Sequence, residues 1–274
     1  MTGKRTGMFK KCVKYAIIGL VLIFMYVPIL ILAVYRFTDS PNIGAIHSFS
    51  FHNYVTLFTT PELIDMIIGS IALAIGSAVL ATILGTTGAI GAFYSKKNVN
   101  GTMSVLNQIP VVNADVVTGF SLCILLVVVF GVSKNTYIPL VIGHTVLSAP
   151  FVYLAVVPKL KQMDPSLYEA ALDLGATPGY TLIHIIIPQI ASGIISGFVM
   201  AVTLSLDDYF VATYTKPATF DTISTYVVNA TKGSQTNIRT ALWALSTIIF
   251  LIVVIVEVVM NFAPIKNEAQ KEKH

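Results

Sequence analysis

Thirty consecutive residues, from Met66 to Ser95, contain no Asp, Glu, Lys, Arg or His. As an α-helix such a run extends ~45 Å at 1.5 Å per residue, more than the ~30 Å of hydrocarbon in a bilayer. Five further runs are nearly as bare: Tyr15 to Tyr35, about Met103 to Ser133 interrupted by Asp115, Asn135 to Pro158, about Ile185 to Leu206, and Thr240 to Ile265 interrupted by Glu257. Each holds the ~20 residues that a crossing needs. Backbone exposed to lipid must satisfy its own hydrogen bonds, and none of these runs alternates with the two-residue period of a barrel strand. The expectation is an all-α membrane protein with six transmembrane helices in a single domain, residues 1–274. Composition agrees, since 55% of residues are apolar and 11% charged, against roughly 25% charged in ordinary soluble domains.

Lys4, Arg5, Lys10, Lys11 and Lys14 precede the first run as the basic region of a signal peptide would. The 21 uncharged residues that follow are too many for a cleaved core, so the segment reads as a retained helix. Alternate connections differ in positive charge. Residues 1–14 hold five Lys and Arg, Lys96 and Lys97 add two, Lys159 and Lys161 two, and Lys266, Lys271 and Lys273 three, twelve in all. The other side holds five: Arg36, Lys134, Lys216, Lys232 and Arg239. Positive charge concentrates on the cytoplasmic side, so both termini are expected there. These cations form no continuous face, which argues against a nucleic-acid partner. Cys12 and Cys123 stand apart and give neither a disulfide framework nor a metal site. Pro28, Pro110 and Pro150 interrupt crossings, and the small residues of the second run let helices approach closely.

The connection between the fourth and fifth crossings, on the cytoplasmic side, is itself helical in pattern. Asp164 is a capping residue, Pro165 suits the first helical position, and Gly175 suits the left-handed residue that ends a helix. Thr177 and Pro178 repeat the start signal, and Pro188 marks the beginning of the next membrane helix. Leu167, Ala170, Ala171 and Leu174 share one face at i, i+3, i+4 and i+7, while Ser166, Glu169 and Asp173 take another. So short a helix must dock on something to persist. Glu169-Ala170-Ala171, then Gly175, Ile185, Ile187 and Pro188, resembles the cytoplasmic signature of ABC importer permeases. The spacing is the same throughout, with Ile187 where that signature has Leu. The resemblance implies the type I importer permease fold, and it implies that residues 164–185 carry a coupling helix seated on a separate ATPase. In that reading Glu169, Ala170, Ala171, Gly175 and Pro188 are the coupling residues. A head-group-binding amphipathic helix would instead carry Lys and Arg on its polar face. No phosphate loop is present, since Gly3-Lys4 is followed by Arg5 and lacks the upstream glycine. No cofactor is expected on this chain, and ATP with magnesium belongs on the partner, so the chain is a transport subunit and not an enzyme.

Three acids fall within or at the ends of apolar runs. Asp115 lies 18 residues after Lys97 and 19 before Lys134, near mid-membrane by count. Asp207 and Asp208 end the fifth run, and adjacent helical residues point about 100° apart, so at most one faces a pore squarely. A charge there costs roughly 2.5 to 3.5 kcal/mol without a partner, a wet cavity or a function. Together with Tyr209, Phe210, Tyr214 and Tyr226 these carboxylates suit a cation. Ser205-Leu206-Asp207-Asp208-Tyr209, the segment Asp115 to Leu122 and the stretch Tyr168 to Pro188 resemble the spermidine/putrescine importer permeases, particularly the second permease subunit of those systems. That likeness implies a second homologous permease subunit, an ATPase dimer, an external polyamine-binding protein and the bacterial cytoplasmic membrane. It also implies a substrate pathway through Asp115, Asp207, Asp208, Tyr209 and Tyr214. A permease for another small solute is the alternative, and an ATPase-independent secondary transporter would leave the coupling signature unexplained. An intramembrane aspartyl protease would need Asp115 and one of Asp207 or Asp208 at a common depth, and the counts differ. His144 and His184 read as structural, His47 and His52 as loop residues, His274 as terminal, and Glu257 as a snorkelling or paired acid.

Overall fold

The computed structural model describes residues 13–27, 31, 52–164, 166–232 and 245. Apart from Leu245 the sixth predicted crossing lies outside them, as do Glu257, Pro28, Pro165, His47, His274 and most of the terminal cations. In chain order the helices are α1 (Val13–Val27), α2 (His52–Thr59), α3 (Pro61–Tyr94), α4 (Lys97–Val112) and α5 (Asp115–Val129). They continue with α6 (Ile138–Gln162), α7 (Ser166–Asp173), α8 (Pro178–Asp207), α9 (Phe210–Thr215) and α10 (Ile223–Lys232). Among the described residues α3, α6 and α8 are long and apolar enough to cross a bilayer, and α4 with α5 makes a fourth crossing if the bent pair is one span. Two compact units divide the chain: residues 1–64 with 230–274, and residues 65–229. In the first, Leu57, Leu63 and Leu245 are buried.

The core of the second unit is a seam of small residues. Ala74, Ala78, Ala81, Ala89 and Ala92 lie along one face of α3, and the last four pack with Val152, Tyr153, Val156 and Leu160 of α6. Gly85 is the closest approach: a Cβ there would stand 2.7 Å from the Ala149 carbonyl oxygen and from Val152 Cβ. On α8, Gly193, Gly197, Ala201 and Ser205 recur every four residues, and all four are buried. Gly193 and Gly197 abut Ala155, Lys159 and Val152 of α6. Lipid offers apolar side chains no gain over one another, so close backbone approach through small residues supplies the packing.

Two readings drawn from proline and charge are sharpened. Pro188 stands in the first turn of the α-helical stretch Ile187–Asp207, as expected, but that stretch continues from Pro178 through residues Leu182–Ile186 in π geometry, so α8 as a whole starts ten residues earlier. The wider turn absorbs the hydrogen bond that proline cannot donate. The third run is not one straight helix. Its two halves, α4 and α5, meet at 102°, because Asn113 and Ala114 are extended, with ψ of 145° and 134°. Asp115 therefore sits in the first turn of α5, where free amide hydrogens favour a carboxylate, and not in the middle of a helix. Asn113 Nδ2 steadies the corner by donating to Thr118 Oγ1 at 3.0 Å.

Candidate functional site

The bend in the third run brings Asp115 to the end of α8. A cavity of about 270 Å³ is lined by Pro110, Asp115, Leu147, Phe151, Leu204, Asp207, Asp208, Tyr209 and Phe210. Three carboxylates thus border one space. Their backbones set them differently. Asp207 is the last residue of α8 and is exposed. Asp208 is extended, at φ −67° and ψ 123°, which turns its side chain back into the protein, where the residue is 8% exposed. There Val211 N–H donates to Oδ1 at 3.2 Å and Ala212 N–H to Oδ2 at 2.7 Å. From one position before the N-cap, Tyr209, the Asp208 side chain caps α9, since its two oxygens take amides that the first helical turn leaves unpaired.

Short α9 is wedged tightly. A Cβ on Gly119 of α5 would lie 2.8 Å from Val211 Cα, and one on Gly143 of α6 would lie 2.8 Å from Val211 Cγ1. Ser224 Oγ of α10 donates to the Asp208 carbonyl. The segment carrying the two acids is therefore held from three sides. Tyr209 and Phe210 meet edge to face at 5.2 Å and present aromatic rings to the cavity. Tyr214, expected in the same pathway, is not among the lining residues and packs edge-on against Phe120 at 5.6 Å. Lys216 is occupied elsewhere, 2.9 Å from Asp221 Oδ1. The cavity can attract a cation: carboxylates neutralise ammonium charge, and aromatic faces add quadrupole attraction.

Behind the cavity lies a polar set that sequence reasoning passed over. His144 of α6 is 0% exposed; its Nδ1 shares a hydrogen bond with Ser205 Oγ at 2.8 Å, and Ser205 Oγ lies 3.3 Å from Ser77 Oγ of α3. His144 Nε2 has no hydrogen-bond partner and stands 3.6 Å from Asp208 Oδ2. A lone histidine in an apolar run gives no sequence signal for such a set. The four-residue spacing of Gly193, Gly197, Ala201 and Ser205 is the signal that would have marked the buried face of α8.

The second group of expected residues lies on α7 and its flanks. Asp164 Oδ1 accepts from Ser166 N–H at 2.9 Å and Ser166 Oγ–H at 2.7 Å, which holds its carboxyl below the usual carboxylate range. At the far end Gly175 takes φ +86°, with Ala176 N–H bonding the Ala171 carbonyl and Gly175 N–H the Leu172 carbonyl. That pair of bonds and the left-handed glycine form the Schellman ending. Thr177 Oγ1 accepts from Tyr180 N–H and starts α8. Ala171 is buried, and Tyr168 packs on Tyr94 with ring centres 4.9 Å apart. Along the rest of the expected apolar stripe Leu167 is half-buried, Ala170 is exposed and Leu174 is 90% exposed. Glu169, Gly175 and Pro188 are exposed as well.

Residues 85–263 match the family described as the binding-protein-dependent transport system inner membrane component. The chain is 29% identical to the spermidine/putrescine transport system permease protein PotC of Haemophilus influenzae, over 89% of this chain and 93% of that one. It is 32% identical to the putrescine transport system permease protein PotI of Escherichia coli, over 70% of each. In fold it is similar to a chain from the crystal structure of a bacterial alginate ABC transporter in complex with alginate pentasaccharide-bound periplasmic protein. The TM-score there is 0.68 at 20% identity, covering 92% of this chain and 93% of that one.

Proposed function

The chain belongs to the family of inner membrane components of binding-protein-dependent transport systems, and from that premise we propose that it passes polyamines into the cell. It is a multi-pass permease of the bacterial cytoplasmic membrane, of the ABC importer class and the polyamine transport family. The finer reading is of six crossings with both termini inside, a second homologous permease subunit alongside, an ATPase dimer beneath and a polyamine-binding protein outside. ATP and magnesium act on the ATPase.

One observation carries the substrate reading: Asp115, Asp207 and Asp208 border a single cavity with Tyr209 and Phe210. Such a lining favours a flexible, multiply charged ammonium over an anion or a sugar. The uncovered Leu174 and Ala170 support docking of α7 on another subunit, because an eight-residue helix does not persist without a surface to bury its exposed apolar face. In this mechanism a loaded binding protein docks outside, ATP closes the ATPase pair, and α7 carries that closure to α6 and α8, which expose the cavity to one side at a time. The ATPase moves the permease only in so far as it binds the two states unequally.

The test is purification of the tagged chain in mild detergent, mass spectrometry of the subunits that accompany it, and ATP hydrolysis with candidate solutes on the binding protein. An accompanying ATPase and stimulation by spermidine or putrescine are expected. An importer stimulated only by an anionic or neutral solute would refute the polyamine reading, and uptake without any ATPase would refute the coupling one.

A further inference from the structure

α6 and α8 flank α7 in the chain, α6 ending at Gln162 and α8 beginning at Pro178. Traced away from α7, both lead to the same place. His144 lies 18 residues before the end of α6, about 27 Å along the axis, and Ser205 lies 27 residues into α8, about 40 Å. Their hydrogen bond at 2.8 Å joins the two helices at the level of the acidic cavity. One turn away Ser148 Oγ approaches the Ala201 carbonyl at 3.5 Å, along the same seam.

His144 is also the neighbour of the capping acid. Its Nε2 is buried, unbonded and aimed at Asp208 Oδ2 from 3.6 Å, about half an ångström beyond a normal hydrogen bond. The Asp208 carboxylate already holds two amides of α9, and Asp207 and Tyr209 adjoin it in the chain. A slide of α6 along α8 would therefore break the Ser205 bond, or close the Asp208 contact and pull on the cap. In either case the cavity lining moves. An imidazole is not needed to fill this volume, because an aliphatic side chain packs a small-residue seam with no polar atom left over.

We infer that His144 is a positioning residue: through its bond to Ser205, three residues before Asp208, it transmits the relative displacement of α6 and α8 to the acidic cavity, and so couples the α7 end of the protein to substrate affinity. This rests on the proposed polyamine importer, and two readouts separate the fates of the two ideas. The complex, comprising this chain with its co-purified permease partner and ATPase, is reconstituted in proteoliposomes with the binding protein. Spermidine uptake is measured for the parent and for His144→Leu, Ser205→Ala, the double variant and His144→Asn, per assembled complex.

Each single variant is expected to raise KM about fivefold, the effect of one hydrogen bond. Because both remove the same bond, the double variant should also stand near fivefold, and not near twenty-five-fold. His144→Asn places an amide near the Nδ1 position and is expected to return KM to within about twofold of the parent. Additive effects, or a loss of assembled complex with KM unchanged, would mean that His144 only packs the seam and would overturn the inference.

The second readout does not depend on the cargo. In a background carrying Trp243→Phe and Phe210→Trp, trapping the ATPase with ATP and vanadate should shift the emission of the tryptophan at the cavity rim relative to the Trp243→Phe complex. The shift is expected to vanish with His144→Leu and to persist with His144→Asn. Failure of the parent to move spermidine, with this pattern intact, would refute the polyamine cargo and leave the relay standing. A shift that survives His144→Leu refutes the relay whatever the cargo.

Discussion

Gly175 closes α7 at φ +86°, yet a Cβ built there meets nothing within 4 Å. The two facts separate backbone strain from crowding. A non-glycine residue in the left-handed region costs about 1 to 2 kcal/mol, with β-branched side chains at the upper end, whereas asparagine, whose short polar side chain bonds locally, occupies it far more readily. α7 has eight residues and cannot absorb such a cost alone. For Gly175→Ala the expected loss is about 1 kcal/mol in the formed ending, and for Gly175→Val about 2. At 1.4 kcal/mol per tenfold, that is about a fivefold and a thirtyfold weakening of any partner that needs the formed α7. Gly175→Asn is expected to stay within about twofold. The assay is the dissociation constant for the ATPase subunit in detergent, with membrane abundance as the control. If strain governs, affinity falls in the order Gly, Asn, Ala, Val. If the partner's groove is merely too tight for a side chain, the larger Asn binds worse than Ala, and that result would refute the reasoning.

Gly85→Leu should lower the melting temperature of the purified chain, by overpacking worth about 1 to 3 kcal/mol, because its first carbon already collides with Ala149 and Val152. Equal melting of parent and variant would mean that α3 and α6 do not approach as described. The neighbouring acids should respond unequally. Asp208→Ala strands two amides of α9 and is expected to destabilise by about 2 kcal/mol, while Asp207→Asn, exposed at the cavity, should weaken spermidine uptake with little change in melting. Matching, negligible uptake defects for both would count against the cavity as a pathway. For the start of α7 the sign is set by the lowered Asp164 carboxyl. A depressed pKa contributes stability above the ordinary carboxylate value and loses it as pH falls through the folded one. Hydrogen exchange at the Ser166 amide should therefore stay protected from neutral pH down to the carboxylate range and lose protection only in stronger acid. Loss of protection nearer pH 6 would show that some other group holds the turn.

Most of the architecture was legible in the chain because lipid imposes one-dimensional rules. A run such as Met66–Ser95 must be helix, and capping chemistry at Asp164, Gly175 and Thr177 acts between residues close in sequence, so the ends of α7 and the start of α8 could be read directly. Where a local signal had two physical outcomes, the sequence could not choose. Pro188 could follow a loop or a helix already under way, and in α8 it follows the π stretch Leu182–Ile186. Asp115 could lie mid-helix or start a new one; the 102° corner made it a first-turn residue.

What the sequence by itself determined is a helical membrane protein with a short helix of recognisable spacing and a few acids embedded among apolar runs. Only the tertiary structure decided which acids meet, that Asp208 caps α9 while Asp207 stays open, that Tyr214 turns to Phe120, and that His144 reaches Ser205. The reason is range. Helix formation and capping depend on neighbours within one or two turns, whereas the cavity joins residues about ninety positions apart. Their meeting depends on how the small-residue faces of α3, α6 and α8 set the distances between helices.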